Sequence, residues 1–498
     1  MSRPKIPATG GGLAVAMVLV VAAGCARHKI AAAGGADGTD LSGPTISAAT
    51  VAPHTPGDWP LFGWDATRSN APSIPMGISA DNVGRLRRQR VVIDGTVDAS
   101  AIYLRDVSVS DSEHDAFFVT TTYGKTLAID ANHGTVLWEY TPASYQALKG
   151  SAQITTATPA ADPDRRFLYA ASPDGAIQKL AVADGRVIWH TVITELPQRE
   201  KIASALNLTE GGVLAVTGGY IGDAPPYQGH VVLLDAGTGS VLHVWNSLCS
   251  DQRELIDPST CRESDSAIWG RAGAVVDPVT GGIFVATGNG LWDGRTNWGD
   301  AVIELDPDLT HILGNYTPTN TRQLNVEDAD LGSTSPVLLG SGLVAQGGKD
   351  GRIRLLDWAK MRRPGPHLGG ERQTVSTPGR DDLFTAPAVL HDSGTTWMFA
   401  ADRAGTTAWI VRDSSLVERW HYQGGGTSPV VVDGLVFVYD PAGALRVHDA
   451  RTGRRIASLE AGRGHWNSPI VVDRRVALPE GNANDHAESG VLDIWRLP

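Results

Sequence analysis

The chain has 498 residues, 42 % of them hydrophobic and 19 % charged, a balance that allows a large core and excludes global disorder. Its net charge of −12, from 54 acids against 42 bases, argues against a surface that tracks phosphates, and no nucleic-acid partner is expected. Glycine (57) and proline (29) point to many turns, as a chain of short strands requires.

At the N-terminus, Arg3 and Lys5 precede an apolar run from Leu13 to Ala23. That run is too short to span a bilayer and reads as the core of a signal peptide, residues 1–24. It ends in Ala22-Ala23-Gly24-Cys25, which resembles the bacterial lipobox. The resemblance implies a lipidated Cys25 and an exported protein anchored to a cell membrane or envelope on its extracytoplasmic side. A plain secretory signal ending near a cysteine is the other reading. Residues 25–58 are rich in Ala, Gly, Ser and Thr and read as a flexible tether. The folded domain is expected over 59–498. Near its start, Arg85, Arg87, Arg88 and Arg90 form a basic cluster, read as a solvated strand edge.

From there the chain repeats itself. A Ser/Thr-Pro or Ser-Ala step enters an apolar strand at Ser100-Ala101-Ile102, Thr158-Pro159, Ser335-Pro336-Val337, Ala386-Pro387-Ala388, Ser428-Pro429-Val430 and Ser468-Pro469-Ile470. A second piece runs strand, Gly-containing turn, strand, often ending in Trp. Leu127-Ala128-Ile129-Asp130 leads through Gly134 to Trp138, Leu180 through Gly185 to Trp189, and Leu233-Leu234-Asp235 through Gly239 to Trp245. Asp followed by Gly suits a tight hairpin, because Gly takes positive φ without a Cβ clash. A terminal Trp can pack across to the next sheet. Copies recur about every 40–55 residues, the spacing of a β-propeller blade rather than of a helical repeat. No stretch has a long amphipathic helical period.

Cys249 and Cys261 lie in a polar insertion. In an oxidising compartment they are expected to form a disulfide, contributing roughly 3 kcal/mol in the chain-entropy picture; two free buried thiols are the alternative.

The opening Asp58-Trp59-Pro60-Leu61-Phe62-Gly63, with Ala80-Asp81-Asn82-Val83-Gly84 and the repeats that follow, resembles the PQQ-repeat propellers. That family includes the quinoprotein alcohol dehydrogenases and the propeller lipoprotein of the outer-membrane β-barrel assembly machinery. The resemblance implies an all-β, eight-bladed propeller of four-stranded antiparallel blades, in which Arg88 to Asp94 would add a strand to the last blade and close the ring.

A quinoprotein dehydrogenase needs an aromatic floor for its quinone, a Lewis-acidic metal or cation, and a carboxylate base. By resemblance Trp269 stands as the floor, Asn289 in Thr287-Gly288-Asn289-Gly290 as a calcium ligand, and Asp330 as the catalytic base. Lys349 stands as the residue reaching the quinone oxygens. The family's further calcium ligand, a Glu, has no counterpart between Thr217 and Val231, where Asp223 is a displaced carboxylate. Calcium takes six to eight oxygens, so this loss weakens the site. The neighbouring cysteine pair of many dehydrogenases is absent, and no Cys-x-x-Cys-His exists, so no covalent haem is expected. Each residue has a plainer reading as well. Trp269 can pack a blade, Asn289 can form a turn, Asp328 and Asp330 can cap loops, and Lys349 can flank a hairpin. Other constellations fail: Tyr123-Gly124-Lys125-Thr126 mimics the end of a P-loop, but Val119 stands where the first Gly belongs.

Two functions follow. The departures favour a non-catalytic, lipid-anchored binding scaffold that meets an envelope protein or small molecule. The alternative is a PQQ-dependent dehydrogenase of alcohols or sugars, with PQQ and calcium as cofactors.

Overall fold

The computed structural model describes residues 55–498. The signal segment 1–24, Cys25 and the tether up to residue 54 lie outside the described residues.

Eight four-stranded antiparallel sheets succeed one another along the chain. They occupy residues 102–140, 160–192, 207–246, 275–316, 337–376, 388–422, 430–460 and 470–496 and are blades 1 to 8. In seven of them the strands are neighbours in chain order, and in the eighth the outermost strand is Arg87–Ile93, paired antiparallel with Gly490–Arg496. The chain is therefore the eight-bladed all-β propeller expected, closed by an N-terminal strand. Burial follows the layers. The first strands Val430–Val432 and Ile470–Val472 are wholly buried, whereas the last strand Arg455–Glu460 of blade 7 has no buried residue.

Adjacent blades are locked by the tryptophans of the repeat. Trp138 of blade 1 donates its indole N–H to the Val182 carbonyl of blade 2 at 2.8 Å, and Trp420 of blade 6 donates to Ala450 of blade 7 at 2.9 Å. The indole of Trp138 lies against Gly185, which has φ +71° and where a Cβ would come within 2.6 Å of the ring. Glycine is needed there both for the turn and for the approach.

In the arginine cluster, Arg85, Arg87 and Arg90 are exposed, as expected of a solvated edge, and Arg88 is half-buried. Arg88 ion-pairs with Asp493 and, at 3.1 Å, with Glu480; Arg90 reaches Glu480 at 2.9 Å. Asp493 is fully buried and Glu480 nearly so. Closure lays this edge strand over two core carboxylates, so Arg88 and Arg90 neutralise them while the strand keeps its solvated side.

Ahead of that strand, residues 58–76 cross the ring. Trp59 exchanges backbone hydrogen bonds with Tyr103 of blade 1, Pro60 accepts from Ala161 of blade 2, and Ala66 accepts from Val276 of blade 4. Ser69, Asn70 and Met76 accept from Val389, Val431 and Arg474 of blades 6, 7 and 8. Phe62 packs among Ala205, Ala272 and Ala386, which lead into blades 3, 4 and 6. Only a side chain on the axis meets three such blades at once, so this segment plugs the central channel. Buried Arg68 fixes it by donating to the carbonyls of Phe62 and Leu206 at 2.8 and 2.7 Å. The Cys249 and Cys261 sulfurs are bonded, with Cα atoms 6.2 Å apart.

Arg88→Met should destabilise the ring by about 3 kcal/mol near neutral pH, because it strands buried carboxylates. Burial, then the neighbouring Glu480, holds the Asp493 carboxyl above the ordinary range. A carboxyl that binds its proton more readily folded than unfolded stabilises the fold increasingly as pH falls from its folded pKa toward its unfolded value of about 4. The deficit of the variant should therefore shrink on acidification to about pH 5, as urea melts at both pH values would show.

Candidate active site

Above the plug, the loops that precede the inner strands converge on the axis. Trp269, leading into blade 4, meets Phe384, leading into blade 6, with ring centroids 5.6 Å apart; Phe384 meets Trp466, leading into blade 8, at 5.0 Å. All three are partly exposed and form an aromatic surface across the channel.

At one end of this surface the residues singled out from the sequence come together. The Lys349 ammonium lies 5.3 Å from the centre of the Trp269 ring, 2.7 Å from Asp330 Oδ2 and 3.0 Å from Asp328 Oδ1. Asp330 Oδ1 accepts from the backbone N–H of Asn289 at 2.7 Å. So Asn289 does enter the site, but through its main chain. The close approach depends on Gly288, where a Cβ would come within 3.0 Å of Asp330 Oδ1, and on Gly332, where one would come within 2.4 Å of the Thr287 backbone.

Behind this pair sits a residue that sequence reasoning missed. Asp300 is fully buried, accepts from the Leu331 N–H at 2.9 Å, and donates its own N–H to the Gly288 carbonyl at 2.8 Å. It thus ties the two loops that present Asp330. Burial raises its carboxyl well above the ordinary range.

Burial also raises the Asp330 carboxyl, opposed by the Lys349 charge. For Lys349 the effects run the other way: burial lowers it, and Asp330 with Asp328 outweighs burial to hold it protonated. Asp223 and Asp265 complete an acidic rim. Burial comes first for both, and repulsion from Asp330 and Asp328 adds to it, pushing Asp265 up to about 6.

The carboxylate missing from the sequence pattern is thus replaced in charge, though not in geometry. Among the described residues, no three His, Cys, Asp or Glu side chains are grouped so as to hold a metal ion. The donor set as it stands does not fit calcium, which needs six to eight oxygens. A planar quinone does fit these residues: a partly exposed aromatic floor, an ammonium at its edge and a carboxylate beside the ammonium.

A family profile described as "Outer membrane protein assembly factor BamB" matches residues 86–267, the closing strand and the first three blades. Over that span the chain is similar to the PQQ-repeat propellers. This propeller is 24 % identical over 404 residues to a polyvinylalcohol dehydrogenase of Pseudomonas sp., covering 70 % of this chain and 60 % of that protein. Another polyvinylalcohol dehydrogenase, from Sphingopyxis sp. (strain 113P3), is 23 % identical over 447 residues, covering 76 % of this chain and 67 % of the relative. The chain thus spans about three fifths to two thirds of these relatives' lengths. Among solved structures, the quinohemoprotein alcohol dehydrogenase from Comamonas testosteroni superposes with a TM-score of 0.64 at 16 % identity, covering 89 % of this chain and 82 % of that one.

These relatives overturn the non-catalytic scaffold expected from the sequence. That expectation weighed one absent Glu and one absent cysteine pair. It gave less weight to Trp269, Asp330 and Lys349, which the resemblance had grouped and which do meet at the axis of the propeller.

Lys349→Met should raise the Asp330 carboxyl further, since it removes the one cation opposing burial. Infrared difference spectra of the carboxyl band across pH would show protonated Asp330 persisting to higher pH in the variant.

Proposed function

We propose that this protein is a quinoprotein dehydrogenase that oxidises alcohols with PQQ. The observation that carries the reading is the contact of Lys349 with both Asp330 and the face of Trp269. When bound, PQQ supplies the two-electron acceptor for the hydride leaving the carbinol carbon. Trp269 would hold the ring system by stacking, with Phe384 extending the floor. Lys349 would hold positive charge at the quinone edge, where negative charge grows as the alcohol is oxidised. Asp330, kept in place by the Asn289 N–H and by Lys349, would take the alcohol's hydroxyl proton. Buried Asp300 would orient the loop through its bonds to Leu331 and Gly288. The polyvinylalcohol dehydrogenases among the relatives make a secondary alcohol on a carbon chain the first substrate class to test. Calcium has no assigned step in this reading.

The same reading places the propeller outside the cytoplasm, held to a membrane through a lipid on Cys25. The leader-like residues 1–24 and the Cys249–Cys261 disulfide support export. An envelope protein that accepts electrons is the partner class this chemistry calls for.

Full-length protein loaded with PQQ should reduce an artificial electron-accepting dye when given polyvinyl alcohol or 2,4-pentanediol. Asp330→Asn should lower kcat by about 100-fold or more while PQQ still binds. Absence of dye reduction by PQQ-loaded protein with polymeric, secondary and primary alcohols would overturn the proposal.

A further inference from the structure

The opposite side of the funnel carries charge of the other sign. Lys201, leading into blade 3, and Arg271, just after the floor tryptophan, both face Asp98, which leads into blade 1. Blades 1, 3 and 4 do not form a run of neighbours, so their loops meet only at the axis. Asp98 is already engaged: it accepts from Trp466 N at 3.0 Å and Ala483 N at 3.1 Å, and pairs with His465 Nδ1 at 2.7 Å. Arg271 lies 3.8 Å from it and gives one hydrogen bond, at 3.3 Å, to the Asp98 carbonyl. Arg271 also lies 5.9 Å from the centre of the Trp466 ring. The Lys201 ammonium has no hydrogen-bond or ion-pair partner among the described residues. Burial first, then the charge of Arg271, brings its ammonium down to about 8.

Two sequestered cations that share one occupied carboxylate leave positive charge unanswered, and charges held away from water are normally paired. Resting on the dehydrogenase reading above, we infer that Lys201 and Arg271 are the anchors for the carboxylates of PQQ and so set which way round the cofactor lies. PQQ is a polycarboxylate whose quinone oxygens occupy one edge of a flat ring system. With its carboxylates at Lys201 and Arg271, that edge is directed to Lys349 and Asp330. Turned around, the carboxylates would meet Asp223, Asp265, Asp328 and Asp330, with only Lys349 to offset them. The aromatic surface of Trp269, Phe384 and Trp466 runs between the two charged ends. The funnel is thus polarised along the plane in which a stacked quinone would lie.

The test is direct binding, read by quenching of tryptophan fluorescence in the full-length protein, with no turnover required. PQQ and its trimethyl ester are the probes, since the ester keeps the quinone and removes the negative charges. The parent protein should bind PQQ at least about tenfold more tightly than the ester, the scale of one charge-assisted contact. Lys201→Met should remove most of that preference by weakening PQQ alone, and Lys201→Arg should restore it. Above about pH 8 the parent should lose affinity for PQQ while Lys201→Arg holds it, with Arg271, Asp98 and His465 common to both proteins. Arg271→Met should act in the same direction. Because Arg271 also faces Asp98, Lys201→Met, at a side chain with no internal partner, remains decisive if the Arg271 variant misfolds. Unchanged PQQ affinity in Lys201→Met, alongside loss of binding in Trp269→Ala, would remove this assignment and leave the dehydrogenase reading standing. A parent protein that binds neither probe would end both.

Discussion

Everything at the centre of this molecule depends on the ring being shut. Each blade is an antiparallel sheet able to form from local hairpins, but no blade contains a site. The axial cluster draws on loops that lead into blades 1, 3, 4, 5, 6 and 8, and these come into register only when the eighth blade meets the first. That junction is made by Arg87–Ile93 pairing with Gly490–Arg496, strands about 400 residues apart along the chain. The pairing also supplies the fourth strand of blade 8, so that blade matches the other seven. Its side chains suit the junction, since Arg88 and Arg90 arrive with positive charge where Asp493 and Glu480 are buried. The closure is electrostatic as well as hydrogen-bonded, and either half alone would leave charge out of water.

The segment before the closing strand gives the channel a bottom. By taking hydrogen bonds from inner strands of blades 2, 4, 6 and 7 and from the first turn of blade 8, residues 60–76 satisfy N–H groups that would otherwise line an open pore. A channel closed at one end is a cavity in which electrostatics act strongly, because water is limited and field lines are confined. Within it the charges are sorted. The acidic residues gather around Lys349, while Lys201 and Arg271 share the single carboxylate of Asp98. Asp98 itself shows how strong the local fields are. Burial acts to raise its carboxyl, yet Arg271, His465 and the Ala483 N–H together hold it far below the ordinary range.

The repeat made the architecture readable in advance. The Ser-Pro steps mark the inner strands, the Asp-to-Gly turns mark the hairpins, and Trp138, Trp189 and Trp420 are the locks between blades. These are local patterns, and a blade is a local object. Trp269, Asp330 and Lys349 were legible too, because each sits in a short segment with a recognisable neighbourhood. Lys201, Arg271, Asp98 and Asp300 were not. Each stands near a repeat step, as Asp98 stands two residues before Ser100-Ala101, but nothing in its own segment says what it faces. The same blindness produced the expectation of an inert scaffold, since a missing Glu is visible in a string of residues and a rim formed by Asp223 and Asp265 is not.

The division has a physical cause. Hydrophobic alternation, turn chemistry and tryptophan placement act over a few residues, so the sequence by itself determined the strand, the blade and the number of repeats, while the closing segment followed from the family resemblance. Charge acts through space, over distances shorter than the ring's diameter but between residues as far apart in the chain as Asp98 and Ala483 or Asp223 and Asp328. Which carboxyl burial raises, which ammonium lacks a partner among the described residues and which end of the aromatic floor is positive were decided only when the closed ring brought those residues to its axis.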